Sequence, residues 1–186
     1  MTTQDYYRIL PDENGWRMLP NGNKFKLGIN SIIGNNVAIA DDVVIENNAS
    51  IGNGAYIGNG ALIGNNVKIG AGAYIGNGVT IDNYTTIDNY TTIDDSVLIG
   101  YRATIENNAS IGNNVKIGKD AYIDDDVSVS NNDKTTYLIT AINTAGDYVE
   151  HKLFKSEAEA EQCAKGFGSH CTIEIWQRIS SNLIQK

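Results

Sequence analysis

Three acidic residues recur at an interval of 18 residues in the second half of the repetitive part of the chain: Asp88, Glu106 and Asp124. Asp125 and Asp126 follow the last of them directly. Carboxylates gathered in one place could bind a cation or a basic protein, or could act as general acid and base. An ordinary solvated acidic surface has the same composition, so the chemistry depends on the element that positions these residues.

Histidine and cysteine are confined to the C-terminal part of the chain, at Cys163, Cys171, His151 and His170. Residues 27–128 contain neither type and therefore offer no imidazole base and no ordinary zinc ligands. We interpret each histidine as a hydrogen-bonded or surface residue without a catalytic role. Two cysteines are too few for a disulfide framework, which favours reduced thiols over a bridge. We therefore predict no metal site, no catalytic residue within residues 27–128 and no bound cofactor.

The element that positions the acidic residues is a repeat of six residues, with an aliphatic residue at every sixth position and no insertion. These residues are Leu27, Ile33, Ile39, Ile45, Ile51, Ile57, Ile63, Ile69, Ile75, Ile81, Ile87, Ile93, Ile99, Ile105, Ile111, Ile117 and Ile123. A small residue, mostly Ala or Val, stands four positions after each isoleucine. A sustained period of six is neither that of an isolated strand nor that of a helix, and it indicates a solenoid.

Hexads such as IGNNVK at residues 63–68 resemble the hexapeptide repeat of left-handed parallel β-helix proteins. The resemblance covers residues 27–128, and it implies triangular coils of three hexads, hence about six coils, with trimers as the usual assembly. It also implies acyltransferases that use a histidine base, or carbonic anhydrases with three histidines on zinc. Neither set of histidines exists in this repeat, and the inserted loop that often builds the acyltransferase site is missing.

The outward residue before each isoleucine falls on one of three faces when every third hexad is taken together. The threonine face carries Ile32, Ser50, Lys68, Thr86, Thr104 and Tyr122; the tyrosine face carries Ala38, Tyr56, Tyr74, Thr92, Ser110 and Ser128; the leucine face carries Val44, Leu62, Thr80, Leu98 and Lys116. Because Val44, Leu62 and Leu98 are apolar, we predict that the leucine face is an interface, used for self-association or for docking of the C-terminal segment. No face carries the flat threonine array of an ice-binding surface.

Pairs of Asn and Gly separate the aliphatic residues, as at Asn53-Gly54 and Asn113-Asn114. Gly and Asn tolerate the positive φ that a tight corner requires, so we interpret them as corner residues without a catalytic role. The sequons at Asn48, Asn83, Asn89 and Asn108 have the same explanation.

The segments that flank the repeat have a different pattern. Residues 1–26 are predicted to form short strands at 6–10, 16–19 and 24–27 and to cap the first coil, with Trp16 or Met18 over the first isoleucines. Residues 129–186 predict a small ββαβ unit with strands at 136–143, 148–154 and 170–179 and a helix at 157–165, docked on the solenoid or on a partner copy. Nothing resembles a signal peptide or reaches membrane length, so we expect a cytoplasmic protein.

The net charge of −8 lies entirely within residues 27–128, which contain four basic and twelve acidic residues. An acidic rigid rod attracts basic proteins and repels nucleic acid and anionic membranes. The leading hypothesis is therefore a non-catalytic interaction or inhibitor protein that presents an acidic rigid surface to a basic protein partner and forms a homo-oligomer. In its sharper version, the acidic surface mimics nucleic acid and blocks a host or defence protein. The alternative is a hexapeptide-type acyltransferase or sugar-modifying enzyme with a site between subunits, which could use His151 or His170.

Overall fold

The computed structural model describes residues 3–130, 137–143, 148–154, 171–179 and 182–185, with side chains described for residues 5–130. Within this part the protein is almost entirely β, with one short helix. The chain divides into two compact units, Met1–Val129 and Ser130–Lys186.

The N-terminal segment begins with helix α1 (Thr3–Arg8), followed by β1 (Trp16–Met18) and β2 (Lys24–Leu27). The prediction of a strand at 6–10 is therefore wrong. Asp5 in the first turn and Arg8 in the last turn both suit the dipole of a helix. The helix is also held from outside, because the Tyr6 hydroxyl donates a hydrogen bond to the Val37 carbonyl.

The residue that covers the start of the solenoid is Tyr6, which is only 1% exposed and packs edge-on against Phe25. Neither of the predicted covering residues takes this place. Met18 is 67% exposed, and the Trp16 ring lies beneath the ammonium groups of Lys24 and Lys26. Strand β1 pairs antiparallel with β2, and β2 already belongs to the first sheet of the solenoid.

The repeat forms three sheets of parallel strands, each two or three residues long, and β1 and β2 extend one of these sheets at its N-terminal end. The threonine face contains β3 (Ile32–Ile33), β6 (Ser50–Ile51), β9 (Lys68–Ile69), β12 (Thr86–Ile87), β15 (Thr104–Ile105) and β18 (Tyr122–Ile123). The tyrosine face contains β4 (Ala38–Ile39), β7 (Tyr56–Ile57), β10 (Tyr74–Ile75), β13 (Thr92–Ile93), β16 (Ser110–Ile111) and β19 (Ser128–Val129). The leucine face contains β1, β2, β5 (Val43–Ile45), β8 (Leu62–Ile63), β11 (Thr80–Ile81), β14 (Leu98–Ile99) and β17 (Lys116–Ile117).

The parallel strands of the three solenoid sheets pair residues that are 18 apart, as in Tyr74↔Thr92 and Ile75↔Ile93. The isoleucines from Ile33 to Ile123 are buried and stack along the axis together with the small residues four positions later. Thr85 and Thr91 replace a small apolar residue in this core, and their hydroxyls donate to the Gly100 and Glu106 carbonyls. The predicted fold class, a mainly β parallel solenoid of about six coils, is confirmed.

The corners combine positive φ with bonding between coils. Asn36, Asn48 and Gly54 have the φ expected of corner residues, but Tyr84 and Arg102 occupy the same position with φ of 62° and 57°. The Asn or Asp one residue earlier bonds the preceding coil, since its side-chain oxygen accepts a backbone N–H 18 residues upstream. The backbone N–H groups of Asn35, Asn59, Ala71 and Asn77 donate in this way to the side-chain oxygens of Asn53, Asn77, Asn89 and Asp95, respectively. The interpretation of these asparagines as structural residues agrees with this bonding.

The C-terminal unit contains an antiparallel sheet in the order β21-β20-β22-β23. Its strands are β20 (Tyr137–Asn143), β21 (Tyr148–Phe154), β22 (Cys171–Ile179) and β23 (Asn182–Gln185). The first three strands match the predicted strands to within one residue, and the fourth was not predicted. The predicted helix at 157–165 lies outside the described residues.

Candidate functional site

The acidic edge is the corner that follows the threonine face, with Asp88, Glu106 and Asp124 placed directly after β12, β15 and β18. The strand register places Ile87 against Ile105 and Ile105 against Ile123, so these three residues stand in one column as the 18-residue interval predicts. Asp88 and Glu106 are half-buried, whereas Asp124 is exposed. The two half-buried carboxyl groups lie within hydrogen-bonding reach of each other.

Glu106 is the chemically distinct member of the acidic edge. Its pKa is raised, first by burial and then by a hydrogen bond and charge repulsion from Asp88, although a hydrogen bond from the Tyr122 hydroxyl acts in the opposite direction. Burial and the bond to Glu106 also raise the pKa of Tyr122 to about 12. A carboxylate with raised pKa is a better proton acceptor near neutral pH.

Asp125 and Asp126, which the sequence also predicts to belong to the acidic edge, both take part in the bonding of the corner. The Asp125 carboxylate accepts a hydrogen bond from the Asn107 side-chain amide at 3.2 Å, which extends the bonded column Asn89-Asn107-Asp125. Asp126 occupies the corner position with positive φ, and its backbone N–H donates to the Asn107 carbonyl. Among the described residues of the acidic edge, Asp88, Glu106 and Tyr122 therefore form the cluster that could move a proton.

The raised pKa of Glu106 predicts a pH-dependent stability. Between the ordinary value of 4.5 and the raised value, the folded protein binds a proton that the unfolded chain has released. The free energy of unfolding should therefore fall as pH rises through this window, and Glu106→Gln should remove that part of the decrease. Melting temperatures measured across the acidic range check this, with Asp124→Asn as the matched control. Identical pH dependence of the parent and Glu106→Gln would contradict it.

The predicted interface residues Val44, Leu62 and Leu98 lie on one sheet, in β5, β8 and β14. Leu62 and Leu98 are 37% and 42% exposed, and Val44 is half-buried. Leu62 and Leu98, but not Val44, border a groove of about 430 Å³ that also includes Thr80 and Lys116. Its opposite side is the next corner, with Glu46, Asp82 and Asn83. The groove therefore combines apolar side chains with one lysine and two carboxylates.

A second concavity was not predicted from the sequence. A cleft of about 560 Å³ lies between the N-terminal segment and the tyrosine face, and its lining includes Leu19, Asn21, Ala38, Tyr56 and Asn59. The 18-residue interval predicts the column Ala38, Tyr56 and Tyr74, but no sequence pattern indicates that the loop at 19–23 lies over this column.

Of the two histidines and two cysteines, His151 and Cys171 lie within the described residues. His151 pairs with Thr140 across β20 and β21, and Cys171 pairs with Asn143 across β20 and β22. His170 and Cys163 lie outside the described residues. Among the described residues, no group of three or more His, Cys, Asp or Glu side chains could hold a metal ion. No helix in the described part of the chain is long and apolar enough to cross a membrane.

The solved structures that the chain resembles are hexapeptide-repeat left-handed β-helix proteins, as the repeat predicts. A family model described as the GMPPB C-terminal domain matches residues 39–134, which is 96 of 186 residues. The chain belongs to this family. No curated protein matches the sequence.

Two solved structures illustrate the similarity. One is LpxA, a UDP-N-acetylglucosamine acyltransferase from Bacteroides fragilis, with 26% identity, a TM-score of 0.54, and coverage of 57% of this chain and 49% of that chain. The other is a mutant perosamine N-acetyltransferase from Caulobacter crescentus in complex with CoA and GDP-perosamine, with 18% identity, a TM-score of 0.48, and coverage of 64% and 56%. This chain therefore spans about half the length of the structures that it matches.

The similarity to LpxA contradicts the prediction that the protein is not an enzyme. That prediction required a histidine within the repeat. A half-buried carboxyl group or a side chain of a neighbouring subunit can supply the same proton acceptor, which the absence of histidine from residues 27–128 does not exclude. No comparison points to an inhibitor or to a mimic of nucleic acid.

Proposed function

We propose that the protein is an acyltransferase that transfers an acyl group from a thioester to an amino or hydroxyl group of a nucleotide-linked sugar. The observation that carries this proposal is the 26% identity to a UDP-N-acetylglucosamine acyltransferase over 57% of the chain. Membership in the family of the GMPPB C-terminal domain is compatible with it.

The leucine-face groove suits a thioester donor. Leu62 and Leu98 offer apolar surface to an acyl chain, and burying such surface contributes about 25 cal/mol per Å². Lys116 borders the same groove and could bind a phosphate of the donor as a point charge. The groove is open on one side, so a second subunit would have to close it and exclude water.

A cyclic oligomer supplies that second subunit in a defined way. Heterologous interfaces join two different surfaces of the chain. In a triangular coil the corner between the threonine and tyrosine faces is opposite the leucine face, and this corner is the acidic edge. If the leucine face of one subunit packs on the acidic edge of the next, the groove faces Glu106. We favour a trimer of this kind.

Glu106 is the proposed general base. Its carboxylate takes the proton from the acceptor amine or hydroxyl as the nitrogen or oxygen forms a bond to the thioester carbonyl carbon. The C–S bond then breaks, and the thiolate leaves and is protonated. The Tyr122 hydroxyl, hydrogen-bonded to Glu106, holds the carboxylate in place. His151 or His170 of a neighbouring subunit is the alternative base.

The direct test is release of free CoA thiol from a panel of acyl-CoA esters, measured with UDP- and GDP-linked amino sugars and neutral sugars as acceptors. We expect thiol release that depends on one acceptor and a thermal shift with the matching ester. The omission of each acceptor in turn is the control for simple hydrolysis. Absence of both a thermal shift and acceptor-dependent release across the panel would overturn the proposed function.

A further inference from the structure

The tyrosine face contains an aromatic stack that stops next to an open space. The rings of Tyr56 and Tyr74 stack with centroids 4.9 Å apart and an interplanar angle of 7°. The strand register continues this column from Tyr56 to Ala38, whose side chain is a single methyl group. The face of the Tyr56 ring that is turned away from Tyr74 therefore has no ring against it and borders the cleft between this face and the N-terminal segment.

The far wall of the cleft is fixed in place. Leu19 is buried, the Leu19 and Asn23 backbones bond each other across the loop at 2.8 Å, and the Asn23 side-chain amide donates to the Ile39 carbonyl at 3.1 Å. The Tyr6 side chain, hydrogen-bonded to Val37, also lines the cleft. A cleft of about 560 Å³ with such walls has the size of an ordinary small-molecule site.

The polar groups of the cleft are amides. Asn21 uses its side-chain oxygen for the Asn23 backbone N–H at 3.1 Å, and its side-chain N–H groups make no further bond within the described residues. Asn59 accepts from the Asp41 backbone N–H and donates to Asn77, which leaves one N–H and one acceptor position for another partner. Amides of this kind can both donate to and accept from hydroxyl groups.

The residues that line the cleft carry no charged side chain. A phosphate, carboxylate or ammonium group bound there would lose water without gaining a counter-charge, which is unfavourable. The nearest acidic residues in the sequence are bonded to Lys24: the Asp42 carboxylate pairs with its ammonium group at 2.8 Å, and the Asp41 carboxylate accepts a hydrogen bond from its backbone N–H. The charge distribution therefore favours an uncharged ligand.

We propose that this cleft is a binding site for an uncharged pyranose sugar. The C–H face of the ring lies on the free face of Tyr56, because the electron-rich face of an aromatic ring attracts the positive edge of C–H groups. Its hydroxyl groups bond the Asn21 and Asn59 amides. The site lies on a different face from the leucine-face groove, so it stands independently of the acyltransferase proposal.

The experiment is saturation-transfer and titration NMR on the full chain, with methyl glycosides of glucose, galactose, mannose and N-acetylglucosamine as probes. Adenosine and uridine form a parallel arm. We expect at least one glycoside to bind and neither nucleoside to do so. Binding of nucleosides alone, or of no probe, would overturn the proposal.

Two variants locate the site. Tyr56→Ala removes the platform and should weaken glycoside binding by about tenfold or more, which is the scale of one lost aromatic contact. Ala38→Tyr should continue the stack, fill the space above Tyr56 and abolish binding while leaving the melting temperature equal or higher. It therefore remains decisive even if Tyr56→Ala folds poorly.

The matched control is Tyr90→Ala, which removes a tyrosine that is 67% exposed at a corner away from the cleft. It should bind glycosides as the parent does. Acyl transfer, measured in the same variants, should be unchanged by Ala38→Tyr, so failure of the sugar site and failure of the proposed enzyme activity are distinguishable. Glycoside binding that persists in both Tyr56→Ala and Ala38→Tyr would refute the assignment to this cleft.

Discussion

Replacing Glu106 by Gln is expected to lower the rate of acyl transfer by about 10²- to 10⁴-fold, the usual contribution of a positioned general base. Gln has nearly the same shape and can keep a hydrogen bond with Tyr122, but it cannot accept the proton. The raised pKa of Glu106 also predicts a rate that increases with pH through that value. Steady-state rates across the pH range, with circular dichroism to confirm the fold, measure both effects.

Two variants serve as controls for Glu106. Asp124→Asn removes an exposed carboxylate from the same column and should leave the rate close to that of the parent. Asp88→Asn removes a neighbouring negative charge and a hydrogen bond that raise the Glu106 pKa, so the rising limb of the pH profile should move to lower pH. Full activity of Glu106→Gln would exclude this base, and His151→Asn and His170→Asn would then test the alternative.

Placing a charge on the leucine face is expected to dissociate the oligomer. Leu62→Asp together with Leu98→Asp would bury two uncompensated carboxylates in the proposed interface, which costs several kcal/mol per ion. Both side chains are partly exposed within the subunit, so the solenoid itself should remain folded. Size-exclusion chromatography with light scattering should show a smaller species, and acyl transfer should be lost with the interface.

The control for the leucine face is Ile32→Asp, because Ile32 is 58% exposed on the threonine face. It should change neither oligomer size nor activity. An unchanged oligomer in the double variant would contradict the proposed interface.

A mixing experiment tests whether the site is shared between subunits. Leu98→Ala impairs only the groove, and Glu106→Gln impairs only the acidic edge. In a mixed oligomer, the leucine face of a Glu106→Gln subunit can meet an intact Glu106 of its neighbour. Activity above the sum of the two separate variants is therefore expected, whereas a site within one subunit predicts none.

The sequence alone determined the solenoid and the membership of each face. Isoleucines six residues apart must stack every 18 residues to form a dry core, so the register of Asp88 with Glu106, and of Leu62 with Leu98, follows from the repeat. The same repeat explains the corners, although the occupation of positive φ by Tyr84 and Arg102 shows that the coil geometry overrides local preference there.

The N-terminal helix depended on tertiary structure. Six residues are too few for a helical period to be recognised, and an isolated helix of this length is not stable in water. The bond from Tyr6 to Val37 and the contact with Phe25 stabilise it only after the first coil has formed. A local pattern could not reveal either contact.

The chemistry of the two sites was decided in the same way. The interval of 18 residues placed Glu106 beside Asp88, but the rise in its pKa comes from burial and from the hydrogen bond and charge of Asp88, and it outweighs the opposing hydrogen bond from Tyr122; burial and both bonds exist only in the folded coil. Likewise, the repeat contains the column of Ala38 and Tyr56, whereas the loop at 19–23 that turns this column into a cleft is positioned by the bond from Asn23 to Ile39. A repeat specifies register because identical side chains pack on one another, and it cannot specify what a non-repeating segment covers.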